Sequence, residues 1–169
     1  MKKHLNVYAD MVCDLFHSSH VSFMKKAIEA GKEEHLKSAV NWSRINLIVG
    51  IHDDETIKEY KEIPAMTLKE RVTVVEACRY VDKVIPAAPT IITEEFIKEH
   101  DIDLVVHAHS AEDDDKYNYQ HAVPRRLGIF KRLDRCEGVS STEIKDRIIN
   151  TITQHYVDNQ IAERASMGM

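Results

Sequence analysis

The stretch Ile45–His52, INLIVGIH, reads as one apolar run ending in a histidine. A run without apolar–polar alternation marks a strand covered on both faces. Such strands belong to parallel sheets, whose neighbours are joined by helical crossovers. Upstream, LNVYADMV (Leu5–Val12) is a second buried strand. VSFMKKAIEAG follows it, with Val21, Phe23, Met24, Ala27 and Ile28 forming a helical stripe and Gly31 reading as a C-cap. Downstream, TLKERVTVVEACRYV (Thr67–Val81) is a predicted helix opened by a capping box from Thr67 to Glu70. VDKVIPAAP gives a short strand, stopped by Pro86 and Pro89. TEEFIKEHD (Thr93–Asp101) is a helix with acidic residues at its start, where the helix dipole favours them. DLVVHAH is another buried strand and GIFKRLDR an edge strand. A second capping box, Ser140 to Glu143, opens a long amphipathic helix to about Ala165. Strands alternating with helices predict an α/β fold, a doubly wound parallel sheet with right-handed crossovers. The expected organisation is a single domain over residues 1–150, with 151–169 continuing the C-terminal helix and tail.

The bulk properties narrow the class. A chain of 169 residues, 43% hydrophobic and 30% charged, suits one soluble globular domain. It holds no run of about 18 apolar residues, so no membrane span is expected. The opening MKKHLNVYADMV is basic like a signal peptide, but Asp10 and Asp14 interrupt the apolar stretch, and no export signal is read. Cys13, Cys78 and Cys136 are scattered and odd in number, which predicts reduced thiols in a cytoplasm. A net charge of -5 argues against a general nucleic-acid binder.

Open parallel sheets bind ligands beyond the carboxyl ends of their strands. DLFHSSH, HDDE and HAHS each follow a predicted strand, and EGVSSTE opens the last helix, so these polar segments are expected to converge on one rim. The acidic run Glu112–Asp115 reads as a solvated loop. His17 and His20 stand where a strand passes into a helix. They could hold a metal, meet an anion at the helix N-terminus, or sit in a polar turn. His107 and His109 lie on the same side of a strand and read either as a metal pair or as satisfied polar side chains. No residue is assigned to a metal.

Three blocks sharpen the picture. VYADMVCDLFHSSH resembles the H-x-G-H signature of the cytidylyltransferase family of nucleotidyltransferases. ERVTVVEACRYVDKVIPAAP resembles a second block of that family, and RCEGVSSTEIKDRI its R-T-E-G-I-S-T motif. The blocks keep the family's order and cover most of Asn6 to Ile148, with the greatest likeness to the phosphoethanolamine and phosphocholine enzymes. The resemblance implies a Rossmann-like nucleotidyltransferase fold. It also implies attack by a phosphate monoester on the α-phosphorus of CTP, with Mg2+, giving a CDP-alcohol and pyrophosphate.

By the same resemblance His17, His20, Lys61 and Arg135 are catalytic. The two histidines would stabilise the α-phosphate and the leaving pyrophosphate, Lys61 would lie beside the attacking phosphate, and Arg135 would meet the CTP phosphates. Met11, Val12 and Cys13, with His17, His20, Arg135, Ser140 and Ser141, form the implied nucleotide site. Asp10, Lys61 and Arg79 form the implied acceptor site, with Arg79 and Asp82 also tied to a subunit contact in a homodimer. The chain departs from the family at Ser19 and Met11, which replace glycines, at Cys136, which replaces threonine, and at His107-Ala-His109-Ser110, which replaces a paired acidic loop. Thr90 stands where the choline-type enzymes carry tryptophan and the ethanolamine type tyrosine. That substitution favours a primary-amine acceptor such as phosphoethanolamine, because a quaternary ammonium wants an aromatic cage.

Overall fold

In the computed structural model, which describes residues 4–40, 42–58 and 62–166, five parallel strands form one sheet in the order β3-β2-β1-β4-β5. These are β1 (His4–Met11), β2 (Arg44–Ile51), β3 (Lys83–Pro86), β4 (Leu104–Ala108) and β5 (Phe130–Leu133). The expected doubly wound sheet is therefore present. β1 and β2 pair in register from His4 against Arg44 to Met11 against Ile51, and β4 lies on the other side of β1. The switch in strand order falls between β1 and β4, so a crevice opens beside the carboxyl end of β1.

Strand alternation splits the interior into two cores. Leu5, Val7, Ala9, Leu47, Val49, Ile51, Leu104 and Val106 face one side and pack against α1 (Ser18–Lys37) and α3 (Leu68–Glu76). Tyr8, Ile48, Ile85 and Val105 face the other and pack with Ala88, Ile92, Ile102 and Ile97 of α4 (Glu94–Glu99). Central strands covered on both faces explain why INLIVGIH lacks alternation.

Several predicted boundaries shift. α1 does not stop at Gly31 but runs through it to Lys37. The glycine serves helix–sheet contact: a Cβ there would lie 2.6 Å from Val7 Cγ2 and 2.9 Å from Ile45 Cγ2. α3 ends at Glu76, short of Val81, although its Thr67–Glu70 capping box forms as expected. The acidic run is no loop. Ser110 caps a 3₁₀ turn, Ala111–Asp113, which leads into α5 (Asp114–Asn118), and α6 (Ala122–Arg126) follows. Short α2 (Asp54–Lys58) follows β2.

The last helix, α7 (Ser141–Ser166), forms as predicted and opens on the Ser140–Glu143 capping box. Ser141, Ile144 and Lys145 in its opening turns are half-buried, whereas Ile148, Ile149, Ile152, Tyr156, Val157 and Ile161 are exposed. Among the described residues no helix is long and apolar enough to cross a membrane.

Gly31→Ala is expected to cost about 1–3 kcal/mol, because a methyl forced between two β-branched core side chains must displace the helix. Urea denaturation followed by circular dichroism checks this, with an unchanged midpoint refuting the close-contact explanation.

Candidate active site

Between β1 and α1 the chain must reverse through Val12–His17. Cys13 and Leu15 adopt positive φ values of 58° and 46°, a conformation L residues avoid. Two buried charges hold this turn. Asp14 accepts hydrogen bonds from the Ala65 and Met66 amides, both 3.0 Å, and pairs with Lys145 of α7 at 2.9 Å. Arg71 of α3, 0% exposed, donates to the Val12 carbonyl at 2.6 Å, the Met66 carbonyl at 3.2 Å and Asp54 at 2.5 Å. Burial opposes ionisation of Asp14, but the Ala65 amide, Lys145 and the Met66 amide outweigh it and hold its carboxyl below the usual range.

His17 and His20 form the N-terminal cap of α1. His17 Nδ1 accepts from the Ser19 amide at 3.3 Å, and His20 Nδ1 accepts from the His17 amide at 3.2 Å. Both Nδ1 atoms are thus acceptors, which places the proton of each neutral ring on Nε2. Ser141 confirms the assignment for His17. Its hydroxyl donates to the Asp14 carbonyl at 2.7 Å, leaving its oxygen to accept from His17 Nε2 at 3.4 Å. Partial burial lowers the His17 pKa, against the attraction of Glu143, so the ring is neutral near pH 7. The site therefore presents N–H donors beside the positive end of a helix, an arrangement suited to phosphate oxygens.

Ser19, the departure from H-x-G-H, does not crowd this rim. Its hydroxyl donates to the Val139 carbonyl at 2.8 Å and sits against Gly138, whose φ is 124°. A Cβ at Gly138 would lie 2.8 Å from Ser19 Oγ, so the serine and the glycine fit as a pair.

A second cluster lies on the opposite face of the sheet. Asp10 is the next-to-last residue of β1, with its side chain 2% exposed. His52, just past β2, reaches its Oδ2 at 3.2 Å, while His107 of β4 and His121, which precedes α6, reach its Oδ1 at 3.4 and 3.6 Å. His52 Nδ1 also donates to the Ala88 carbonyl at 2.9 Å. With acceptors at both nitrogens, His52 is the imidazolium. Burial works against that charge, but the Asp10 carboxylate prevails and raises the His52 pKa. Burial likewise opposes the Asp10 charge, yet His107, His121 and His52 hold its carboxyl well below its ordinary value.

A cytidylyltransferase-like family model matches residues 12–147. The chain belongs to that family. It is similar to the ethanolamine-phosphate cytidylyltransferase of Dictyostelium discoideum, 36% identical over 93% of this chain and 41% of the relative. Choline-phosphate cytidylyltransferase 2 of Arabidopsis thaliana is 34% identical over 92% of this chain and 48% of that protein. The chain thus spans under half the length of these curated relatives. A lipopolysaccharide core biosynthesis protein of Thermoplasma volcanium shares the fold, with a TM-score of 0.58 at 18% identity over 79% of this chain and 98% of that one.

Of the residues that the cytidylyltransferase motifs single out, the structure joins His17, Ser141 and the main chain of Val12–Asp14 at one rim. Ser140 is engaged in its own capping box, giving its amide to Glu143 at 2.6 Å and accepting from the Glu143 amide at 3.1 Å. Arg135 is exposed and paired with Asp113 at 3.2 Å. Met11 packs into the core, and its carbonyl accepts from the His52 amide at 3.3 Å. Cys13 is buried, and burial pushes its thiol above its usual range, so only its backbone is available to a nucleotide.

Asp10 is not an open carboxylate at the surface, because imidazoles cover it. Arg79 lies in the turn past α3, beyond the end of the helix expected to run to Val81, bonds the Tyr80 hydroxyl at 2.8 Å, and leads into β3, an edge strand of the sheet. Its neighbour Asp82 ties Arg44 and the Leu47 amide at that edge. Lys61 lies outside the described residues.

Sequence reasoning missed Arg71, His52 and His121 as site residues. Arg71 sits four positions before buried Val75 on α3, an inward-facing spacing that could have exposed it. His52 directly follows a buried strand, where a polar residue faces the rim. His107 and His109 share a face as expected, yet they do not act together: His109 Nε2 bonds Asp114 at 2.7 Å, while His107 joins Asp10.

Asp14 contributes stability that is complete above its unfolded pKa near 4 and is lost as pH falls through its lower folded value. Asp14→Asn is therefore expected to destabilise at pH 6 and to flatten the stability loss below pH 4. Parallel denaturant titrations of both proteins across pH 3–6 test the slope, and identical slopes would refute it.

Proposed function

We propose that the chain binds CTP at the His17–Ser141 rim and transfers the cytidylyl group to a small phosphorylated amino alcohol, of the phosphoethanolamine kind, releasing pyrophosphate. One observation carries this reading. Backbone caps fix both imidazoles of the H-x-x-H segment through Nδ1, which leaves the proton of each neutral ring on Nε2, at the N-terminus of α1. Negative charge that gathers on phosphoryl oxygens during in-line displacement is stabilised by such fixed donors, which need no reorganisation at the moment of reaction. Membership of the cytidylyltransferase-like family and likeness to ethanolamine-phosphate and choline-phosphate enzymes support the substrate class.

In this reading the Ser141 hydroxyl keeps the His17 ring in plane, and Arg135, exposed between β5 and α7, swings from Asp113 to the triphosphate. Lys61 neutralises the attacking phosphate. Mg2+ suits the reaction as an ion carried on phosphate oxygens and water, where it screens their charge. The rim's own donors, imidazoles and hydroxyls, and the pairing of Asp14 with Lys145 support that mode.

A second reading has a specific observation behind it. Asp10, implied as the partner of a cationic head group, is covered by three imidazoles, and Thr90 supplies no aromatic wall. An acceptor other than phosphoethanolamine, such as phosphocholine, glycerol phosphate or a phosphonate, or CTP binding without turnover, remains the alternative to test. The family resemblance supports a homodimer, and the reduced-thiol pattern supports a cytoplasmic setting. A monomer by light scattering at micromolar concentration would refute the dimer.

Pyrophosphate release should require CTP together with a phosphorylated amino alcohol. Asparagine is a good helix cap, so His17→Asn should fold like the parent. It should still lose about 10²–10³-fold in turnover with the Nε2 donor gone. Full turnover in a folded His17→Asn variant would overturn the assignment.

A further inference from the structure

The Asp10 cluster has an arrangement that hydrogen bonding alone does not explain. His121 is 0% exposed, and its Nδ1 lies 3.0 Å from the Tyr117 carbonyl. A carbonyl only accepts, so Nδ1 bears a proton. The Nε2 of the same ring is buried without a hydrogen-bond partner and stands 3.6 Å from Asp10 Oδ1. A buried polar atom left without a partner is costly, and a cation held between it and the Asp10 carboxylate would satisfy both. His107 Nδ1 approaches the same oxygen at 3.4 Å, and the three atoms all lie within 4.8 Å of one another.

We infer that Asp10, His107 and His121 form a binding site for a first-row divalent cation of the zinc class. Zinc bonds of about 2.0–2.2 Å at tetrahedral angles hold ligand atoms about 3.4 Å apart, close to the spacings around Asp10 Oδ1. Two imidazoles and one carboxylate suit zinc, cobalt or iron and do not suit Mg2+, which prefers oxygen. The surroundings are those of a ligand set. His121 is oriented by the Tyr117 carbonyl, and the second oxygen of Asp10 is held by His52, which is fixed in turn by Ala88. Three protein ligands leave a fourth position open. The site has access to solvent at His107, whose side chain is 17% exposed.

The ligands come from β1, β4 and the segment before α6, so a bound ion clamps the helical connection 111–126 onto the sheet. The site is separate from His17 and His20, whose Nδ1 atoms are consumed by capping, and the inference does not depend on the proposed cytidylyl transfer.

The test uses the full chain, stripped with a chelator and titrated with Co2+ and then Zn2+. The expected result is one equivalent of Co2+ with the visible d–d absorption of a nitrogen–oxygen site, displaced by Zn2+ and not by excess Mg2+. Folding of each variant is checked by circular dichroism. His107→Gln and His121→Gln should each weaken Zn2+ binding by at least about 100-fold. His17→Asn and His109→Gln should leave it unchanged. The inference is overturned if the parent binds no stoichiometric Co2+ or Zn2+, if Mg2+ displaces Co2+ equally well, or if folded His107→Gln and His121→Gln both bind as the parent does. Should one variant fail to fold, the parent spectrum and the other variant still decide.

Discussion

Everything at the phosphate-facing rim depends on how the chain leaves β1. Two non-glycine residues in the left-handed region, Cys13 and Leu15, cost of order 1–3 kcal/mol each, and the turn persists because its surroundings determine it. Asp14 supplies the anion and Arg71 the cation that do so. Each is buried, and each spends its hydrogen-bonding capacity on main chain as well as on an opposite charge. Removing one member of such a set leaves an uncompensated buried charge, which is why the turn behaves as a unit. The cap of α1 then follows from where the turn ends, and the cap sets the tautomers of His17 and His20.

The histidines of this protein divide by what holds their Nδ1 atoms. In the H-x-x-H segment, backbone N–H groups donate to Nδ1 of each ring, which leaves the proton of the neutral ring on Nε2. At His121 a backbone carbonyl does the reverse and accepts from Nδ1. Main-chain groups of opposite polarity therefore hold the two imidazole clusters. The sheet separates them, with the core of α1 and α3 on one face and that of α4 on the other.

The sheet was legible because buried parallel strands are continuous apolar runs, and both capping boxes at Thr67 and Ser140 were legible because they are local. Gly31 was misread because its reason lies across the helix–sheet interface, in Val7 and Ile45. The acidic run Glu112–Asp115 was misread because Ser110 caps it and His109 and Arg125 share Asp114. Partner choice at the sites was hidden for a topological reason. Asp14 finds Ala65, and Arg71 finds Val12, only after a complete crossover has brought distant segments together. The family motifs drew attention to His17, His20 and Ser141, which gather where β1 passes into α1, while Arg79 lies in the turn between α3 and β3.

The free length of α7 has a mechanical consequence. At about 1.5 Å per residue, the 26 residues of this helix extend roughly 39 Å. Its attachments lie in the opening turns, through Ser141 and Lys145 to Asp14. The helix is accordingly a long arm anchored beside an imidazole, and by geometry alone a small angle at its base corresponds to a large distance at its tip. A load placed on the distal isoleucines would be felt as torque on the Ser141–His17 hydrogen bond.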